Sequence, residues 1–120
     1  MKKMLLVEDD DLSIDVMRRI FENDFEMDIC ESAEEYYEKY PETIYDIILM
    51  DIAIKGDKNG FEFIKEIKAS PKFTGSPIIC LTAYAQNKVK QEAMEAGADV
   101  FITKPVTQIA LKEAINSLLK

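Results

Sequence analysis

Four consecutive apolar residues, Ile47-Ile48-Leu49-Met50, stand between Tyr45-Asp46 and Asp51. A run this short and this rich in branched side chains does not make a helix of ordinary length. It reads as a strand covered on both faces, the kind found inside a parallel sheet. That strand ends on a carboxylate. In open α/β sheets, ligands bind outside the carboxyl ends of the strands, which puts Asp51 where chemistry is expected. On this stretch alone, a carboxylate that merely caps a turn explains Asp51 equally well.

The surrounding pattern alternates. Lys3 to Glu8 reads as a strand, and Asp10 or Asp11 caps a helix with Ile14, Met17, Ile20 and Phe21 at helical spacing. Glu26 to Cys30 is a short second strand. Ser32 and Glu35 form a capping box that opens a helix to about Tyr40, stopped by Pro41. After Asp51 comes a polar loop, Lys55 to Gly60, then a helix with Phe61, Ile64 and Ile67 on one side. Pro77 to Thr82 is a fully buried strand. Asn87 to Ala96 is a helix with Val89, Ala93 and Met94 inward and Gly97 as its stop. Asp99 to Thr103 is the fifth strand, and Thr107 caps a last helix with Leu111, Ala114, Ile115 and Leu118 on its apolar face. Five strand-helix units predict an α/β fold, a parallel sheet with helices on both faces and right-handed crossovers.

Composition narrows the chemistry. At 120 residues the chain has the length of one domain. Fifteen Lys plus Arg against 23 Asp plus Glu leave a net charge of −8, with no basic run to gather nucleic acid phosphates. No direct nucleic acid binding is expected. There is no histidine, so the commonest general base and transition-metal ligand is missing. Cys30 and Cys80 stand in apolar segments without metal spacing and read as buried free thiols. No apolar run approaches the ~20 residues of a membrane span. Residues 1–7 start like a signal peptide, but Glu8 to Asp11 interrupt the apolar run. A cytoplasmic location away from the membrane follows as the expectation.

The polar residues at strand ends form a set. Glu8-Asp9 end the first strand, Asp51 the third and Thr82 the fourth, and Lys104-Pro105 follow the fifth. With the first strand beside the third, they converge on one rim. Three carboxylates in a cleft repel one another, and a bound hard cation is the simplest reason for tolerating them. Mg²⁺ suits such a site, taking one or two carboxylates together with waters and phosphate oxygens. Lys104 and Thr82 add a point charge and a hydroxyl for a phosphoryl group, and an Asp carboxylate can form an acyl phosphate. Mg²⁺-dependent phosphorylation of Asp51 is the reading that follows. Taken singly, Glu8 to Asp11 also read as a helix-capping acidic turn, Lys104 as a surface lysine, Thr82 as a strand-end threonine and Phe101 as plain core.

Glu8-Asp9, Asp51, Thr82-Ala83 and Lys104-Pro105, in this order on these elements, resemble the receiver domain of two-component response regulators. The resemblance spans residues 1–120 as a single receiver domain. It implies a flavodoxin-like (βα)5 three-layer sandwich with strand order 2-1-3-4-5. It makes Asp51 the phosphoacceptor, Asp9 a direct ligand of Mg²⁺ (or Mn²⁺), Glu8 a ligand mostly through water and the Ala53 backbone carbonyl the remaining protein ligand. Lys104 would pair with a phosphoryl oxygen, and Thr82 and Phe101 would relay the signal. A cis Lys104–Pro105 bond is also implied, at the modest cost that only proline permits.

The phosphate donor implied is a histidine kinase or phosphotransfer protein. The downstream protein or dimer partner would meet the face made by the fourth helix, fifth strand and last helix. In the resembling family, side chains at the positions of Ala53 and Tyr84 border the path of the attacking water, and with Ala53 unable to position one, slow hydrolysis is expected. Two departures stand out: Glu8 replaces the more usual Asp, and the loop through Lys55 to Gly60 lacks the usual proline and is one residue longer. Two other readings remain open. A haloacid dehalogenase-type hydrolase usually has a second Asp where Ala53 stands, and an FMN module needs a Ser/Thr/Gly-rich loop where the chain is acidic. Both the stand-alone receiver and the piece of a longer protein also remain open.

Overall fold

The computed structural model describes residues 1–52, 56, 59–83 and 86–119. Within them, strands and helices alternate: β1 (Lys2–Val7), α1 (Asp11–Phe21), β2 (Phe25–Cys30), α2 (Ala33–Lys39), β3 (Ile47–Met50), α3 (Gly60–Ala69), β4 (Ile78–Thr82), α4 (Asn87–Ala96), β5 (Val100–Thr103) and α5 (Gln108–Leu118). The strands pair in parallel in the order β2-β1-β3-β4-β5. This is the flavodoxin-like arrangement.

The core lies in two layers, separated by the alternation of side chains along each strand. Leu5, Val7, Ile48, Met50, Ile78 and Cys80 pack with residues of α2, α3 and α4. Met4, Leu6, Ile47, Leu49, Ile79 and Leu81 pack with residues of α1 and α5. β3 and β4 are buried at every position, as strands covered on both faces must be. β5 is half-buried throughout, consistent with its place at the sheet edge.

Helix starts follow local chemistry. Asp10, Ser32, Asn59 and Thr107 each accept a backbone N–H of the first turn. Gly97 ends α4 with φ 119°, a left-handed stop.

Three local expectations are corrected. The capping box at α2 is shifted, because Glu35 Oε1 accepts the N–H of Glu31 and not that of Ser32. In α3, Phe61 packs half-buried against the layer that holds the buried Ile64 and Ile67, and Phe63 is fully buried there as well. In α4, Ala93 and Ala96 are buried and Val89 packs half-buried against the same layer, but Met94 is 42% exposed. Gly60, read as the end of the loop, is the first residue of α3.

Cys30 and Cys80 are free and buried. They sit on β2 and β4, with β1 and β3 between them.

Candidate functional site: the carboxyl rim of the sheet

The site is assembled by strand ends. Backbone bonds extend the sheet one step beyond the regular strands: Glu8 N–H donates to Cys30 O, Asp51 N–H to Val7 O and Lys104 N–H to Thr82 O at 2.7 Å. Glu8, Asp51 and Lys104 are therefore fixed by the β-ladder itself, at the ends of β1, β3 and β5.

Their side chains meet. Lys104 Nζ donates to Glu8 Oε1 at 2.5 Å and to Asp51 Oδ2 at 3.2 Å. Glu8 is 3% exposed, and its Oε2 accepts the N–H of Asp9 at 3.1 Å and that of Asp10 at 3.4 Å. Burial raises the Glu8 carboxyl above the ordinary value of 4.5, the Lys104 hydrogen bond opposes this, and the Asp51 charge reinforces it. Burial pulls the Lys104 ammonium down, but the Glu8 bond and the two carboxylate charges outweigh it and leave the group above 10.5. A single cation thus serves two carboxylates. The Lys104–Pro105 bond is cis, as the resemblance implies.

Asp9 lies half-buried in the turn that Glu8 holds, next to Asp10, which caps α1. Thr82 is fully buried at the end of β4. Cys80 is paired with Phe101 and Thr82 with Thr103, so by alternation Thr82 and Phe101 share one face of the sheet. Phe101 is half-buried against the layer that contains Ala93 and Ala96 of α4. Ala53 and Tyr84 lie outside the described residues.

The donors suit a hard cation. Glu8, Asp9 and Asp51 offer oxygen only, and two of them already need a positive charge between them. Among the described residues no three acidic or Cys side chains form a ready-made metal cage.

The family model of the response regulator receiver domain matches residues 4–116. This chain belongs to that family. It is 35% identical to the chemotaxis protein CheY of Halobacterium salinarum over 119 residues, covering 98% of this chain and 97% of that protein. It is 32% identical to the regulatory protein VanRB of Enterococcus faecalis over 98% of this chain, but it spans about half of that relative's length, 52%. In fold it matches the receiver domain of a sensor histidine kinase from Pseudomonas aeruginosa, described with magnesium in its active site cleft. The TM-score is 0.87 at 24% identity, covering 98% of this chain and 97% of that one.

As a receiver domain, the chain is a component of two-component signalling. Among the described residues no helix is long and apolar enough to cross a membrane.

Proposed function

We propose that this receiver domain is a switch operated by Mg²⁺-dependent phosphorylation of Asp51, with the phosphoryl group supplied by a histidine kinase or phosphotransfer protein. The observation that carries the proposal is Lys104 Nζ bridging Glu8 and Asp51 at the carboxyl rim. A fixed cation beside a strand-end carboxylate is poised to neutralise charge arriving on that carboxylate.

In the proposed step, an Asp51 oxygen attacks phosphorus, the P–N bond of a phosphohistidine breaks, and its electron pair returns to the donor imidazole. Asp51 then carries an acyl phosphate. Asp9 and Asp51, with the Ala53 carbonyl and water held by Glu8, would hold the metal, which supplies charge neutralisation on the phosphoryl oxygens. Lys104 keeps its charge well above neutral pH and pairs with a phosphoryl oxygen. Hydrolysis returns Asp51 to its free form, at a rate set by the side chains at Ala53 and Tyr84. No external substrate is turned over.

The output is a relay. Thr82 meets the new oxygens, and Phe101, on the same face of the sheet, turns further into the space beside β5. The surface that changes is the α4-β5-α5 face, where Met94 is 42% and Ile109 72% exposed, an apolar edge for a downstream protein or dimer partner.

Acetyl phosphate with Mg²⁺ tests the chemistry. Mass spectrometry should find one phosphoryl group on Asp51 in the unchanged protein and none in Asp51→Asn or without divalent metal. Equal labelling of both proteins refutes the assignment.

A further inference from the structure

We propose that Gly60 is a positioning residue for Asp51: the close seat of α3 on the backbone after Asp51 sets where that carboxylate points. The inference rests on Asp51 being the phosphoacceptor and goes beyond the residues that touch the phosphoryl group or the metal.

Gly60 is buried and begins α3, with Asn59 as the cap. Its N–H donates to Ile52 O at 3.0 Å, so the two ends of the segment after Asp51 are tied to each other. A methyl group on Gly60 would lie 2.4 Å from Ile52 Cα, 2.9 Å from the Asp51 carbonyl oxygen and 3.0 Å from Ile52 Cγ2. Ordinary contact starts at 3.4 Å.

The other glycines differ in kind. A methyl at Gly56 would meet the Glu34 carboxylate, one at Gly97 would meet the Lys68 side chain, and one at Gly75 would meet nothing within 4 Å. Side-chain ends can swing away. Backbone cannot, so at Gly60 either the start of α3 or the Asp51–Ile52 peptide must move by about 1 Å. The ladder holds Asp51 only through its N–H; its carbonyl lies on the side that Gly60 presses, so a shift of that peptide would turn the proposed phosphoacceptor, while Glu8 and Lys104 belong to other strands. A shift on one side only changes the geometry among the three.

Gly60→Ala tests this, with Gly97→Ala as the control. Gly97 has φ 119°, so alanine there strains the fold at the end of α4, away from the rim. Three readouts are taken on the full chain: Mg²⁺ affinity from amide NMR, the Asp51 carboxyl ¹³C shift without metal, and the rate of acetyl phosphate labelling. A misplacement of about 1 Å in a reacting geometry can cost about 100-fold in rate.

Gly60→Ala should move the Asp51 carboxyl signal and weaken Mg²⁺ binding and labelling by about tenfold or more. Gly97→Ala should keep all three within twofold despite a lower melting temperature. Values within twofold for Gly60→Ala overturn the inference, as does an equal loss in both variants. If Gly60→Ala does not fold, Asn59→Ala loosens the same helix start without a clash. A loss of about threefold or more is then expected, and no change overturns the inference. If the unchanged protein takes no label on Asp51, it is the phosphorylation reading that fails.

Discussion

Lys104 Nζ lies 2.5 Å from Glu8 Oε1, nearer than to Asp51 Oδ2 at 3.2 Å, so the lysine is clasped first to the residue that is not the proposed phosphoacceptor. The arrangement leaves Glu8 dependent on one cation. Its side chain is 3% exposed, against 23% for Lys104 and 11% for Asp51. An ion pair this buried contributes little when intact, yet removing one partner strands the other in a poor solvent.

Lys104→Met should therefore destabilise the metal-free protein by about 2 kcal/mol at pH 7. The pH dependence has a definite sign. Glu8, already raised by burial, would rise further without its cation. The stability linked to a raised carboxyl is present below its ordinary value of 4.5 and lost as pH rises through the folded value. The penalty should thus shrink from pH 7 toward pH 4.5. Denaturant melts at both values check this, and an equal penalty at both refutes the Glu8 explanation.

Asp9→Ala should fold normally and lose Mg²⁺ binding. The Asp9 side chain is half-buried, and the α1 cap is provided by Asp10. Circular dichroism and a Mg²⁺ titration by NMR separate fold from site. Retained affinity would remove Asp9 from the ligand set.

Gly97→Ala should lower stability by about 1–2 kcal/mol. Its φ of 119° is one that L side chains rarely adopt, and the added methyl would meet Lys68 Cδ at 2.6 Å. Thermal or urea unfolding measures the change. A neutral result would show that the end of α4 re-forms with a different turn.

Both thiols should be inert in the native protein. Burial foremost pushes Cys30 and Cys80 up to about 12 from 9.0. At pH 8 a thiol reagent should titrate neither until the protein is unfolded, when both react. Raised thiols add stability that is present below pH 9.0 and is lost as pH rises toward about 12, so alkaline unfolding should set in across that window.

Thr82→Ala should still accept phosphate on Asp51 but transmit it poorly. Part of an aromatic ring entering the core contributes on the order of 1 kcal/mol, inside the usual coupling range. NMR shifts on phosphorylation should reach Phe101 in the unchanged protein and shrink there in the variant. Equal shifts in both would place the signal on another path.

The sequence by itself determined the alternation of strands and helices, the doubly covered strands Ile47–Met50 and Ile78–Thr82, and which polar residues stand at strand ends. These features are local. A run of branched apolar residues, a capping residue and a period of two or 3.6 act over a few residues of chain, so a reader of the chain sees them. Only the tertiary structure decided how the strands lie side by side, because a right-handed crossover leaves their lateral order free. That order, anticipated here through the family resemblance, joins Lys104 to Glu8 across 96 positions and gives one cation two carboxylates. It also buried Phe63 fully, left Phe61 half-buried against the same layer, and pressed Gly60 onto the Ile52 backbone. Those outcomes depend on the angle and height at which α3 meets β3. Packing between distant segments sets both, and no local pattern in the chain encodes them.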